Sequence, residues 1–131
     1  MLAVDTNVLV RLFVDDDSKQ HKAVKEFFKN LDESEQVYVS LVVVTELVWI
    51  LESAFDLHRE GIAEIIDSLL ESGQVSFQNS VAVYYALKSY KDGADFADAL
   101  IAASANDAGC SGTLTFDKNA VKKAGMTLLP D

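Results

Sequence analysis

Hydrophobic and polar positions along the chain switch repeatedly between a short apolar run and a helical spacing of three and four. Leu2-Ala3-Val4 reads as a brief buried strand that stops at Asp5, and a helix can start at Asn7 and run to Phe13. Asp17 or Ser18 can cap a second helix over Lys19 to Asn30, with Ala23, Val24, Phe27 and Phe28 on its inner side. Val37-Tyr38-Val39 is the next strand, after which Ser40 caps a long helix to about Phe55. A further helix from about Arg59 to Glu71 turns Ile62, Ile65, Ile66, Leu69 and Leu70 inward. Val75-Ser76-Phe77 is a third strand, followed by a helix through Val81, Tyr84, Tyr85, Leu87 and Lys88 that Gly93 ends. Asp95 to Ala108 is an alanine-rich helix closed by Gly109. Thr113-Leu114-Thr115-Phe116 is a strand stopping at Asp117, and Thr127-Leu128-Leu129 is the last strand.

Strands that alternate with helices predict an α/β fold with a mostly parallel sheet covered on both faces. The 131 residues, half of them apolar, suffice for one core without disulfides or structural metal. No internal repeat and no Pro-, Ser- or Gln-rich linker divides the chain, and its single proline is Pro130, so one domain over residues 1–131 is expected.

No signal peptide is predicted, because Asp5 and Arg11 interrupt the apolar start and no basic leader or small-residue cleavage site follows. The run from Val37 to Leu51 is broken by Glu46 and falls short of the roughly 20 apolar residues that span a bilayer. A soluble protein is expected. The lone Cys110 allows no intrachain bridge, which fits a reducing cytosol, and it reads as a small buried apolar residue.

Eleven basic against twenty-one acidic residues give a formal charge of -10, the opposite of a passive nucleic-acid binder. If nucleic acid is the partner, bound cations and local lysine clusters must offset the repulsion. Two clusters qualify: Lys22, Lys25 and Lys29 on one helix face, and Lys118, Lys122 and Lys123 after Asp117.

The candidate chemistry lies in the acids. Ligands of open parallel sheets bind beyond the carboxyl ends of the strands, and Asp5 and Asp117 each sit at such an end. Either can be a plain turn former or helix cap. Glu46 lies in a helix that Val42, Val43, Val44, Leu47, Val48, Trp49 and Ile50 make apolar nearly all round, which predicts burial, and a buried carboxylate needs a cation or a solvated pocket. Asp95, Asp98 and Ala102 fall on one line of their helix; Asp95 suits a capping place in the first turn, and Asp98 lies deeper. The small residues Ala97, Ala102, Ala103 and Ala105 permit close approach of another backbone. His21 and His58 read as surface histidines.

Carboxylates without Cys or His are hard oxygen donors suited to Mg²⁺ or Mn²⁺. Mg²⁺ held this way activates water and neutralises charge on a phosphoryl group, which points to phosphoester hydrolysis.

The residues resemble those of the PIN-domain nucleases, in particular the VapC-type toxins of prokaryotic toxin-antitoxin pairs. The resemblance rests on Val4-Asp5-Thr6-Asn7-Val8-Leu9, on Thr45-Glu46, on the run from Asp95 to Ala103 and on Thr115-Phe116-Asp117-Lys118, in that order along nearly the whole chain. It implies a PIN-like three-layer α/β/α fold. By position, Asp5, Glu46, Asp98 and Asp117 match the family's acidic quartet of metal ligands and catalytic residues. Thr115 matches a hydroxyl position, Thr6 and Asn7 hold supporting places, and Asp95 is a helper acid. The implied activity is cleavage of RNA by metal-activated water with Mg²⁺, or Mn²⁺ in its place, leaving a 5′-phosphate and a 3′-hydroxyl. The implied partners are an RNA substrate, a second copy in a homodimer, and a cognate antitoxin; the implied location is the cytoplasm.

Two rivals stand beside this reading. A phosphoacceptor receiver module needs adjacent acids after its first strand and a late Lys-Pro, neither of which is present. The intact acids argue against a PIN-like scaffold that binds RNA or protein without cutting, although spacing alone does not prove turnover. DNA is a third substrate option, since a two-metal site needs no 2′-hydroxyl. A P-loop NTPase is excluded, as no GxxxxGK[ST] occurs.

Overall fold

The computed structural model describes residues Met1–Asp131, with seven helices and five short strands, successive strands being separated by one or two helices. Contacts divide the chain into two compact units, Met1–Gln78 and Asn79–Asp131.

In the first unit the order is β1 (Leu2–Ala3), α1 (Thr6–Phe13), α2 (Ser18–Lys29), β2 (Val37–Val39), α3 (Leu41–Ser53), α4 (Arg59–Glu71) and β3 (Val75–Phe77). The three strands form one parallel sheet in the order β1-β2-β3, with Leu2 opposite Val37 and Val37 opposite Val75. Parallel neighbours need a crossover, and here the crossovers are helical. Leu9, Val39, Val44, Leu47, Leu51, Ile62 and Ile66 are fully buried. Each such side chain contributes about 1.5–3 kcal/mol, and together they fix α1, α3 and α4 as the scaffold under the strand ends.

The second unit runs α5 (Ser80–Lys91), α6 (Phe96–Asp107), β4 (Leu114–Thr115), α7 (Lys118–Ala124) and β5 (Thr127–Leu128). Ala82, Val83, Ala86 and Leu87 of α5 and Ala99 and Leu100 of α6 are buried, and Tyr90 meets Phe96 edge to face at 5.7 Å. These small side chains let the two helices pack closely. The turn between them needs Gly93, whose φ of 106° is open only to glycine without strain. β4 and β5 pair in parallel, with Leu114 opposite Thr127.

Every ladder is parallel, as the alternation predicts, but the hydrogen bonds make a three-stranded and a two-stranded sheet. Residues 118–124, which the hydrophobic spacing alone leaves unassigned, form α7: Asp117 caps its start and Gly125, at φ 71°, ends it. Several burial expectations fail, beginning with β1, where Leu2 and Ala3 are exposed and not buried. Ala23 is exposed on α2, where Phe28 is the one buried residue. Cys110 is exposed, since it lies past the end of α6 in a loop. No helix is long and apolar enough to cross a membrane.

Candidate active site

The first unit carries Asp5, Thr6, Asn7 and Glu46. Asp5 is the first residue beyond β1 after Val4, and it caps α1 by accepting a hydrogen bond at Oδ1 from the Val8 amide at 3.3 Å. The cap satisfies one of the otherwise unpartnered first-turn amides. Its other oxygen, Oδ2, has no partner within the protein. Thr6 opens the helix and is buried, at 8% exposure. Its hydroxyl donates to Glu46 Oε1 at 2.8 Å, forty residues away on α3. Asn7 follows on the exposed side of α1.

Glu46 itself is exposed, which corrects the expectation drawn from its apolar neighbours. The helix buries Val44, Leu47, Val48 and Leu51, while Val42 (67% exposed) and Trp49 (66%) share the outward stripe with Glu46. An apolar composition therefore does not mean a helix enclosed on all sides. The carboxylate is set in place by Thr6, not by desolvation.

The second unit carries Asp95, Asp98, Thr115 and Asp117. Asp95 caps α6, its Oδ2 accepting from the Asp98 amide at 3.0 Å. Asp117 caps α7, its Oδ1 accepting from the amides of Asn119 at 2.8 Å and Ala120 at 3.3 Å. The Asp117 amide in turn donates to Thr115 Oγ1 at 3.0 Å, so the hydroxyl expected beside the acid fixes the backbone that presents it. Each capping carboxylate commits one oxygen to the fold and leaves the other facing away from these bonds.

Asp98 differs from the caps. It lies in the first turn of α6 and is half-buried, and its carboxylate receives no hydrogen bond. Partial burial, then the negative charges of Asp95 and Asp117, push its carboxyl above the ordinary aspartate range. Asp95 and Asp117 thus stand near enough to Asp98 for their charges to act on it.

No group of three or more His, Cys, Asp or Glu side chains is placed to hold a metal ion. The four acids singled out in the sequence are present as two parts, Asp5 with Glu46 in one unit and Asp98 with Asp117 in the other. The donors in both parts are carboxylate and hydroxyl oxygens, which fit Mg²⁺ or Mn²⁺ and not a thiolate metal. The histidines stay outside: His21 Nδ1 bonds the Arg11 carbonyl at 2.6 Å, and His58 is exposed at the start of α4. A cavity of about 290 Å³ in the second unit, lined by Tyr85, Ser89, Asn106, Cys110 and the small residues Ala102 and Ala103 among others, holds none of the candidate acids.

The sequence profile of the PIN domain matches residues 2–126. The chain belongs to the PIN domain family. A protein named VapC ribonuclease from Aquifex aeolicus (strain VF5) is 26% identical over 132 residues, covering 99% of this chain and 97% of that protein. The three-layer α/β/α fold class implied by the resemblance comes with the family, and the match spans every candidate acid of this PIN domain.

Proposed function

We propose that this PIN domain is a metal-dependent endoribonuclease toxin, acting as a single domain over residues 1–131 and held in check by a cognate antitoxin. Family membership and the likeness to a VapC ribonuclease support the nuclease class. The observation that carries the metal dependence is Asp98: a half-buried carboxylate without a hydrogen-bond donor, crowded by Asp95 and Asp117. Such an anion is relieved by a cation, and a divalent cation relieves several at once.

Asp5, Glu46, Asp98 and Asp117 are the proposed ligands and catalytic acids for Mg²⁺, with Mn²⁺ able to replace it. When bound, the cation supplies an activated water and neutralises charge on the scissile phosphate. The protein's own part is positional. The caps of α1 and α7 hold Asp5 and Asp117 by one oxygen each, Thr6 orients Glu46, Thr115 fixes the backbone at Asp117, and Asp95 adds negative charge beside Asp98. Asn7, exposed one residue beyond Thr6, is a further supporting polar group. A homodimer and a cytoplasmic location complete the proposal. The net charge of -10 gives a basic antitoxin segment an electrostatic partner, and an Arg from it matches a carboxylate pocket in geometry.

The test is incubation of end-labelled total RNA with Mg²⁺, with and without chelator, followed by mapping of the new ends. Cleavage that leaves 5′-phosphates, needs the metal and disappears in Asp98→Asn supports the reading. RNA left intact by a protein that binds Mn²⁺ makes the domain a scaffold.

A further inference from the structure

The charge of -10 is divided unequally. Residues 1–78 hold six Lys and Arg against fifteen Asp and Glu, whereas residues 79–131 hold five lysines against six aspartates. Nearly all the excess negative charge therefore lies in the first unit, and the second is close to neutral even though it contains Asp95, Asp98 and Asp117. Its five lysines sit on the two helices next to those acids. Lys88 and Lys91 are in the last turn of α5, ahead of the turn that leads to Asp95. Lys118 opens α7 directly after Asp117, and Lys122 and Lys123 close it. The two sets are joined in space at Gly93: Lys123 Nζ stands 3.6 Å from where a β-carbon would sit on that residue. The cationic end of α7 thus lies against the α5–α6 turn, two residues before the cap of α6.

Four of these lysines are not spent on ion pairs. Lys88, Lys118, Lys122 and Lys123 are all exposed and none has a carboxylate within 4.0 Å. Lysines in a last helical turn complement the helix dipole, a role worth only about 0.3–1 kcal/mol. That role explains single positions and not the meeting of two helix ends at one turn. The alternative cluster, Lys22, Lys25 and Lys29 on α2, shares its unit with fifteen acids, including Glu26 on the same helix and Asp15, Asp16 and Asp17 just before it.

We propose that the phosphate backbone of single-stranded RNA runs over the face formed by Lys88, Lys91, Lys118, Lys122 and Lys123, and that the α2 lysines take no part. The inference rests on the ribonuclease reading and names the surface by which its substrate is held. A polyanion is drawn to the region where exposed ammonium groups come nearest to balancing the acids, and there they adjoin the acids that would act on it.

The experiment compares salt dependence. Binding of a fluorescein-labelled oligouridylate is followed by anisotropy across a salt series in Ca²⁺ buffer, with the RNA's integrity checked on a gel. The proteins are the parent, the triple variant Lys88→Gln/Lys122→Gln/Lys123→Gln and the triple variant Lys22→Gln/Lys25→Gln/Lys29→Gln. Each lost phosphate contact lowers the slope of log K against log salt by about 0.7. The first triple variant is expected to flatten it by about 2 and to weaken binding about 10²-fold at 0.1 M salt, while the second follows the parent. Melting temperatures are read alongside. A first triple variant that melts lower yet keeps the parent slope assigns those lysines to the helix ends and overturns the proposal. So does a loss of slope in the α2 variant. If the parent cleaves RNA in Mg²⁺ and neither triple variant changes the slope, the surface is wrong and the ribonuclease stands; if the parent neither binds nor cuts RNA, both fall together.

Discussion

Thr6 Oγ1 donates to Glu46 Oε1 at 2.8 Å, and this bond ties the start of α1 to the outward stripe of α3. A hydrogen bond to a charged group contributes about 1.5–3 kcal/mol, and the exposure of Glu46 puts this one at the lower end. Thr6→Val keeps the shape of the buried side chain and removes the donor, freeing the carboxylate to turn. RNA cleavage by Thr6→Val is expected to fall about 10-fold or more, the loss typical of a group that orients a metal ligand, together with a drop of a few degrees in melting temperature. Thr6→Ser restores the donor and should recover most of the rate. Equal rates for the parent and the valine variant would detach Glu46 from the reaction.

Asp5 and Asp117 each serve a helix as well as the proposed chemistry, so the choice of substitution matters. Alanine removes the cap and costs roughly 0.5–2 kcal/mol, a drop of several degrees in melting temperature. Asparagine keeps an acceptor for the Val8 amide in one case and for those of Asn119 and Ala120 in the other, and removes only the charge. Asp5→Asn and Asp117→Asn should therefore melt close to the parent while cutting RNA at least about 10²-fold more slowly, the scale of losing a strong transition-state stabiliser. Calorimetry and single-turnover cleavage on the same four variants separate the two roles. Asparagine variants that cut at the parent rate would leave these aspartates as caps alone.

The element order and most helix ends are legible in the sequence because they follow from local chemistry. Ser40, Asp17 and Asp95 cap where a side-chain oxygen precedes an apolar spacing, and α4 runs from Arg59 to Glu71 as its isoleucines and leucines demand. The site is legible in part. Asp5 and Asp117 stand out by their place after strands, and Thr115 only through the family resemblance. Glu46 is singled out for a mistaken reason, since its exposure depends on which neighbours α3 meets and not on composition. The bond from Thr6 spans forty residues, and α7 is too short for an apolar period to show. The cap at Asp117 followed by Gly125 is the signal that would have revealed it.

Asp98 sets a pH dependence in metal-free protein. Its carboxyl is raised in the folded state, so the stability it confers is fully present below the ordinary aspartate value and is lost as pH rises through the raised one. At neutral pH its charge opposes folding. Asp98→Asn is thus expected to melt above the metal-free parent at pH 7, with the gap closing as the parent's carboxyl protonates on acidification. Thermal melts in chelator between pH 4 and pH 7, in about half-unit steps, give the comparison. A variant that melts below the parent throughout would show that Asp98 stabilises the fold by contacts of its own.

Added metal should reverse that order. A cation that binds only the folded state raises stability by about 2.7 kcal/mol at a hundredfold excess over its Kd. Mn²⁺ or Mg²⁺ is expected to raise the melting temperature of the parent, chelator to return it, and Asp98→Asn to gain far less. Equal shifts for parent and variant would place the binding elsewhere.

Three of the carboxylates here grip backbone amides: Asp5 that of Val8, Asp95 that of Asp98, and Asp117 those of Asn119 and Ala120. These four N–H groups are built-in reporters in a nuclear magnetic resonance spectrum. Any ion arriving at an acid must redistribute electron density along the same bond, so its arrival can be followed residue by residue without a substrate, a label or turnover.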